Sequence, residues 1–214
     1  MKKDYAEIIL AKELFYLLPE KAMYRLSKNQ LILADVHLGK ATHFRKQGIA
    51  MPQQSHLKDI VTLRFLLNTW KPETVLILGD LFHSEYNSEW EIFKNILSTY
   101  SHIQFILVEG NHDILKNEIY TSTNLLKVKL LAENELMFTH HPFNAIDKIN
   151  ICGHIHPGIK ITGMAKQAVP LPCFYYNGVN FILPAFGNLT GLHLLPRENK
   201  ASYYLVASNR VIKL

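Results

Sequence analysis

Five short segments concentrate the residue types that bind metals and move protons. They are Asp35-Val36-His37, Gly79-Asp80, Gly110-Asn111-His112-Asp113, His140-His141 and Gly153-His154-Ile155-His156. Counting His83, just after the second segment, they hold seven of the chain's 11 histidines. One such histidine is ordinarily a hydrogen-bonded structural residue. Five clusters are different, because carboxylates and imidazoles crowded at one place need a compensating charge, and a divalent cation supplies it. The chemistry suggests two ions. Asp80, held close to its strand by Gly79, is best placed to bridge them, since a carboxylate has two oxygens. Asp35 and His37, at i and i+2 of an extended segment, project to one side and can share one ion. Asn111 offers a neutral amide oxygen to the other, and His140 with the "GHIH" pair completes the shells. Imidazole and carboxylate without thiolate favour manganese, iron or zinc over magnesium, calcium or copper(I). Two ions about 3.5–4 Å apart form a clamp for in-line displacement at phosphorus.

Each cluster follows a short apolar run: "LILA" at 31–34, "TVLIL" at 74–78, "IQFILV" at 103–108, "ELMFT" at 135–139 and "INIC" at 149–152. These are too short for helices and suit buried strands. Helical periodicity lies between them. A helix is predicted over 55–70, opened by Pro52, closed before Pro72, with Leu57, Ile60, Val61 and Leu67 on one side. Another starts at "SEWE", where Ser88 and Glu91 have capping-box spacing and Trp90, Phe93, Leu97 and Tyr100 repeat at helical intervals. Alternating strand and helix predicts an α/β fold. In open α/β sheets the loops beyond the carboxyl ends of strands bind ligands, so clusters distant in sequence can converge there.

The bulk composition sets further bounds. The chain has 214 residues, 48% of them apolar and 19% charged, enough to bury a sizeable core and read as one domain over 1–214. It shows no repeat, low-complexity tract or linker-like stretch, and no apolar run long enough to cross a bilayer, so a cytoplasmic protein without membrane contact is expected. Cys152 and Cys173 are too few for a disulfide scaffold or a thiolate zinc site and are expected as small buried apolar residues. A net charge of +5 favours an anionic partner such as nucleic acid, although the excess is spread along the chain.

"DVHLG", "GDLFH", "GNHD", "THHP" and "GHIHP", in this order, resemble the calcineurin-like metallophosphoesterase superfamily. The stretches "LLPEKAMY", "ADVHLGKATHFRKQGIAMP" and "LPCFYY…LPAFGNLTGLH" extend the resemblance over nearly the whole chain, to the bacterial ligase-associated DNA damage response endonuclease family. The resemblance implies a sandwich of two mixed β-sheets flanked by helices, with a dinuclear metal site at the strand ends. By position it puts Asp35, His37, Asp80 and His156 on one ion, and Asp80, Asn111, His140 and His154 on the other. Two manganese ions are the expected pair, with iron or zinc as alternatives. His112 corresponds to the acid-base histidine and Asp113 to its orienting carboxylate. Where the family often reads His-Glu-Pro, this chain reads His140-His141-Pro142; His140 is taken as the ligand and His141 as an outer group near substrate, an order that a register shift would reverse. His83 matches a histidine at the active site of a group of nucleases in the superfamily. Splitting His154 and His156 between two ions requires the backbone to turn out of its strand, which Gly153, Pro157 and Gly158 would permit.

The expected reaction is phosphodiester hydrolysis: a hydroxide bridging the ions attacks phosphorus, and His112 protonates the departing oxygen. Lys40, His43, Arg45 and Lys46 follow the first motif and would hold flanking phosphates, Arg45 and Lys40 foremost. Phe174, Tyr175, Tyr176 and Phe186 are read as core or interface rather than base-stacking residues, and His193 has no role. The resemblance implies a DNA endonuclease in repair, with a DNA ligase or helicase as partner; the sequence leaves the oligomeric state open, a homodimer being one option. A phosphomonoesterase or nucleotide phosphatase using the same centre, and a non-catalytic scaffold of the same fold, are the alternatives; retention of His112 with every ligand argues against the scaffold.

Overall fold

The computed structural model describes residues 4–46, 48–49, 57–83, 88–162 and 167–214. Seven strands form the first sheet in chain order: β1 (Ala6–Leu10), β2 (Glu13–Leu17), β3 (Met23–Arg25), β4 (Gln30–Leu33), β5 (Thr74–Leu78), β6 (Gln104–Val108) and β7 (Leu125–Val128). β1 to β4 pair antiparallel and β4 to β7 parallel. The second sheet is built from β8 (Leu131–Glu133), β9 (Leu136–Phe138), β10 (Ile149–Cys152), β11 (Pro157–Thr162), β12 (Ala168–Tyr176), β13 (Asn180–Ile182), β14 (His193–Leu194), β15 (Ser202–Ala207) and β16 (Arg210–Lys213). Within it β10 runs parallel to both β9 and β13. The helices are α1 (Lys40–Lys46), α2 (Leu57–Trp70), α3 (Ser88–Thr99) and α4 (Asn117–Thr121).

Alternation along the central strands builds two apolar layers at once. Leu31, Leu33, Val75, Ile77, Phe105 and Leu107 face the helices, packing against Ile60, Leu63, Leu67, Trp90, Phe93 and Leu97. Ile32, Leu76, Leu78, Ile106 and Val108 point the other way, onto Leu136, Phe138, Ile151, Phe174 and Phe181 of the second sheet. Strands covered on both faces read as unbroken apolar runs, which is why the five runs in the sequence marked β4, β5, β6, β9 and β10. The result is a sandwich of two mixed sheets with helices against the first.

The helical patterns need two corrections. α2 buries Ile60, Leu63, Leu66 and Leu67, whereas Val61 is 63% exposed and Leu57 39%. The buried stripe advances by three and four residues from Ile60, and Val61 lies about 100° around the helix from it. Positions 50–56, including Pro52, and the side chain of Ser88 lie outside the described residues; Trp90, Phe93 and Leu97 are buried as expected. Phe174, Tyr175 and Phe186 are core residues. Cys152 and Cys173 are free and buried, and burial pushes both thiols up, so neither is a reactive thiolate. Among the described residues no helix is long and apolar enough to cross a membrane.

One ionic strut ties the sheets together. Arg25 on β3 is 1% exposed; its Nε and Nη2 donate to the Glu13 carboxylate on β2, and Nη1 donates to Glu133 on β8 at 2.7 Å. Removing one member of a buried ion cluster leaves the others without compensation, at a cost of about 3–5 kcal/mol. Arg25→Ala should lower stability by that amount in urea denaturation, and exchanging Glu13 and Glu133 for Gln in the same chain should recover part of it.

Candidate metal centre

The two sheets deliver their parallel strand ends to one place. Pairing between β4 and β5 continues past both strands: Asp35 N donates to Gly79 O, His37 N to Asp80 O at 2.9 Å and Leu38 N to Leu81 O at 2.9 Å. The Asp35 and Asp80 turns are thereby locked side by side. From the second sheet, Gly153 N donates to His140 O at 3.1 Å, locking the turns after β9 and β10 together. His154 N donates to the Asp35 carboxylate at 2.9 Å, which joins the two halves.

The backbone does unusual work here. Asp35, His37, Asp80, His154 and His156 all have positive φ, between 50° and 70°. Side-chain-bearing residues adopt this left-handed conformation seldom, at a cost of order 1–3 kcal/mol where the surroundings enforce it. Asp35 and His37 therefore converge through a turn rather than along one face of an extended segment. The same holds for "GHIH": the left-handed positions are the two histidines, not the glycines. Gly153 is needed for a different reason, since a Cβ there would lie 2.5 Å from Asp35 Oδ2. At Gly79 a Cβ would come within 2.2 Å of His140 Nδ1, and its φ of +78° also favours glycine.

The side chains fall into two imidazole clusters that share carboxylates. Ligand atoms of Asp35, His37 and His156 lie within 4.8 Å of one another, as do those of His140, His141 and His154, and those of Asp35, Asp80 and His140. Asp80 faces both clusters, with Oδ2 3.6 Å from His37 Nε2 and Oδ1 3.4 Å from His140 Nε2. Asn111 Oδ1 lies 3.0 Å from His140 Nε2. His140 Nδ1 donates to Leu78 O at 2.9 Å, which commits that nitrogen and turns Nε2 inward as the lone-pair donor. His140 is 2% exposed and His141 is exposed, so the buried, oriented imidazole is His140. Every expected metal residue is thus brought into one centre.

The donors fit divalent cations. His37 Nε2 and His156 Nε2 are buried with no hydrogen-bond partner among the described residues, although each lies 3.4–3.6 Å from a carboxylate oxygen. Burial disfavours the charged forms of three of the rings: His37 is pushed down to about 2 and His140 to about 4, and His154 is lowered for the same reason. Imidazoles beside buried carboxylates, with no thiolate among them, could hold divalent cations.

His112 and Asp113 depart from expectation. His112 Nδ1 lies 3.1 Å from His83 O, and a carbonyl can only accept, so Nδ1 carries the hydrogen. The Asp113 carboxylate does not orient the ring. Its Oδ1 accepts from Leu81 N at 2.9 Å and Phe82 N at 3.3 Å, and Oδ2 accepts from Gly110 N at 2.9 Å. It splices the Asp80 and Asn111 turns together, and burial pushes its pKa up to about 7. His83 belongs to the centre: its ring stacks on His112 with centroids 5.3 Å apart, and its Nδ1 lies 3.4 Å from His37 Nδ1.

Of the expected phosphate contacts, Lys40 is half-buried beside His37, and the Asp80 and Asp35 charges act on its ammonium. Arg45 donates through Nη2 to Thr42 Oγ1 at 3.0 Å, while its buried Nη1 has no partner among the described residues. The side chains of His43 and Lys46 lie outside the described residues. Two supports were not anticipated. Glu89, read only as part of a helix start, is 3% exposed and accepts from Gly39 N at 2.5 Å and Thr42 Oγ1 at 3.0 Å, pinning the turn after His37. Asp59 on α2 accepts from Asn188 N at 3.1 Å and from its side-chain amide, while Gly187 N donates to Asp35 O at 3.1 Å. The late "AFGNLTG" segment is therefore a brace for Asp35.

Two substitutions test these roles. Gly79→Ala should displace His140 and weaken metal retention on dialysis by roughly 10–100-fold, with circular dichroism unchanged. Asp113→Ala should cost roughly 1–3 kcal/mol for each amide left unpaired, read from thermal melts, and leave the pH profile of turnover in place. A shifted profile at unchanged stability would restore the ring-orienting role.

Comparison with known proteins places this centre in a family. A search of curated proteins finds no match. Among solved structures, the nuclease MPE of Pseudomonas putida superimposes with a TM-score of 0.79, at 22% identity, covering 98% of this chain and 100% of that one. A protein of unknown function from Aquifex aeolicus gives 0.41 at 21% identity, over 59% of this chain and 78% of its own. The E. coli phosphoesterase Yfce gives 0.44 at 12% identity, over 86% and 97%. The first likeness shows the shared fold. The model of the family described as Calcineurin-like phosphoesterase matches residues 29–182, which include all seven expected metal residues and His112. The chain belongs to the calcineurin-like phosphoesterase family and is a metal-dependent phosphoester hydrolase.

Proposed function

We propose that the protein is a phosphodiesterase cleaving DNA, an endonuclease of cytoplasmic DNA repair, with manganese as its working metal. The observation that carries the reading is the placement of His112 at the edge of a carboxylate shared by two imidazole clusters: His112 N donates to Asp80 Oδ1 at 2.9 Å. Asp35, His37, Asp80 and His156 would hold one ion, and Asp80, Asn111, His140 and His154 the other. When bound, the ions supply charge neutralisation for the phosphoryl oxygens and an acidified water as nucleophile.

The chain's own residues do the rest. Since His112 Nδ1–H is committed to His83 O, Nε2 is the atom that delivers a proton to the departing oxygen. His83 stacked on that ring restricts its rotation, and Lys40 and Arg45 would steady phosphates flanking the scissile one. The loops carrying the site also expose Ile114, Phe143 and Ile146, at 70%, 54% and 87%, which suits contact with flat bases of a polymer. The likeness to a nuclease and the net charge of +5 support the same substrate class.

The test offers manganese-loaded protein a phosphodiester, a phosphomonoester and single-stranded DNA in parallel. Diesterase and DNA cleavage should dominate; a strong monoesterase without either would contradict the reading. His112→Ala should lower turnover by about 10²–10⁴-fold with metal content unchanged. Loss of activity and metal together would show that His112 is not the acid.

A further inference from the structure

We propose that His141 is itself a ligand of the second ion, so that this ion is held by three imidazoles, from His140, His141 and His154. The sequence posed His140 and His141 as alternatives; the geometry brings both to the same point. Their ligand nitrogens and that of His154 lie within 4.8 Å of one another, and His154 Nδ1 is 3.1 Å from His140 Nε2. The His141 ring centroid is 4.1 Å from that of His154 and 4.7 Å from that of His140. Asp80 lies 3.4 Å from His140 Nε2, and His154 Nδ1 is within hydrogen-bond distance of the same nitrogen, but neither contact involves the His141 ring, whereas a common cation would engage all three imidazoles.

The backbone presenting His141 is built to aim it. Its carbonyl accepts from Thr139 Oγ1 at 2.6 Å and from Asn150 Nδ2 at 3.2 Å, and Asn150 is fully buried. The same Asn150 amide donates to Asn180 Oδ1 at 3.0 Å, and that oxygen accepts from Phe143 N at 2.9 Å. An exposed side chain used only for occasional contact with substrate would not need the buried Asn150–Asn180 pair and the half-buried Thr139 beneath its peptide. A third imidazole also changes what the position selects. Imidazole-rich sites suit zinc, iron and their neighbours, and oxygen-rich sites suit magnesium. The His140 side of the centre is therefore the side that holds a borderline cation such as cobalt or zinc and discriminates against magnesium.

The proposal rests on the two-ion reading above but not on the choice of substrate, and its test needs none. Metal-stripped wild type, His141→Ala and His141→Gln are titrated with cobalt(II) alone by calorimetry, and imidazole N–H signals shifted by the bound cobalt are counted by NMR. Wild type should bind two equivalents. Both variants should bind one equivalent as wild type does and the other at least the roughly tenfold more weakly that loss of an outer-shell partner costs, with one shifted N–H signal missing. Two equivalents bound by both variants with wild-type affinity and a full set of signals would overturn the proposal. A wild type that binds a single equivalent would refute the two-ion reading itself.

Discussion

The structure turns on burying two carboxylates whose neighbouring side chains are mostly imidazoles. Asp35 is fully buried and Asp80 is 2% exposed, and the groups 3.4–3.6 Å from their oxygens are the ring nitrogens of His37, His140 and His156. Burial keeps His37 and His140 unprotonated, so these rings bring no positive charge of their own. Two buried anions without a counter-charge are expensive, and the arrangement becomes stable once divalent cations occupy the space between oxygen and nitrogen. Strained backbone at five of the seven expected metal residues belongs to the same account, because only a rigid surround can hold so many left-handed side-chain-bearing residues in place.

That surround is layered. Parallel pairing of β4 with β5 sets the Asp35 and Asp80 turns in register, and the sandwich brings the ends of β9 and β10 over them. Around this lie carboxylates with no chemical step of their own. Asp113 splices the Asp80 and Asn111 turns, Glu89 pins the turn after His37, and Asp59 holds the Asn188 segment that braces Asp35. Each accepts from backbone amides, which keeps a buried acid satisfied without adding a mobile cation near the centre. The His112 ring is governed differently, by the carbonyl of His83, so its tautomer is set by main chain rather than by an acid.

Much of this was legible in the amino-acid sequence, for physical reasons. Strands buried on both faces leave unbroken apolar runs, so β4, β5, β6, β9 and β10 stood out, and the ligand-bearing turns followed them directly. The helix face of α2 was less legible: several apolar residues lie outside its buried stripe, and Val61 and Phe65 face solvent. The supports were not legible at all, since they join positions far apart. Glu89 reaches across 50 residues to Gly39 and Asp59 across 129 to Asn188, and only the fold makes them neighbours. The family resemblance pairs Asp113 with the neighbouring imidazole, whereas its carboxylate turns inward to amides that the sequence does not mark. Left-handed histidines in "GHIHPG" were hidden behind flanking glycines that are there for close approach.

We propose that Asp80 is shared by two cations held by separate imidazole clusters. Anomalous diffraction from crystals grown with manganese would locate both. Two peaks about 3.5–4 Å apart are predicted, one on each side of the Asp80 carboxylate, with His37 and His156 at one and His140 and His154 at the other. A single peak, or two peaks of which neither touches Asp80, would contradict the account.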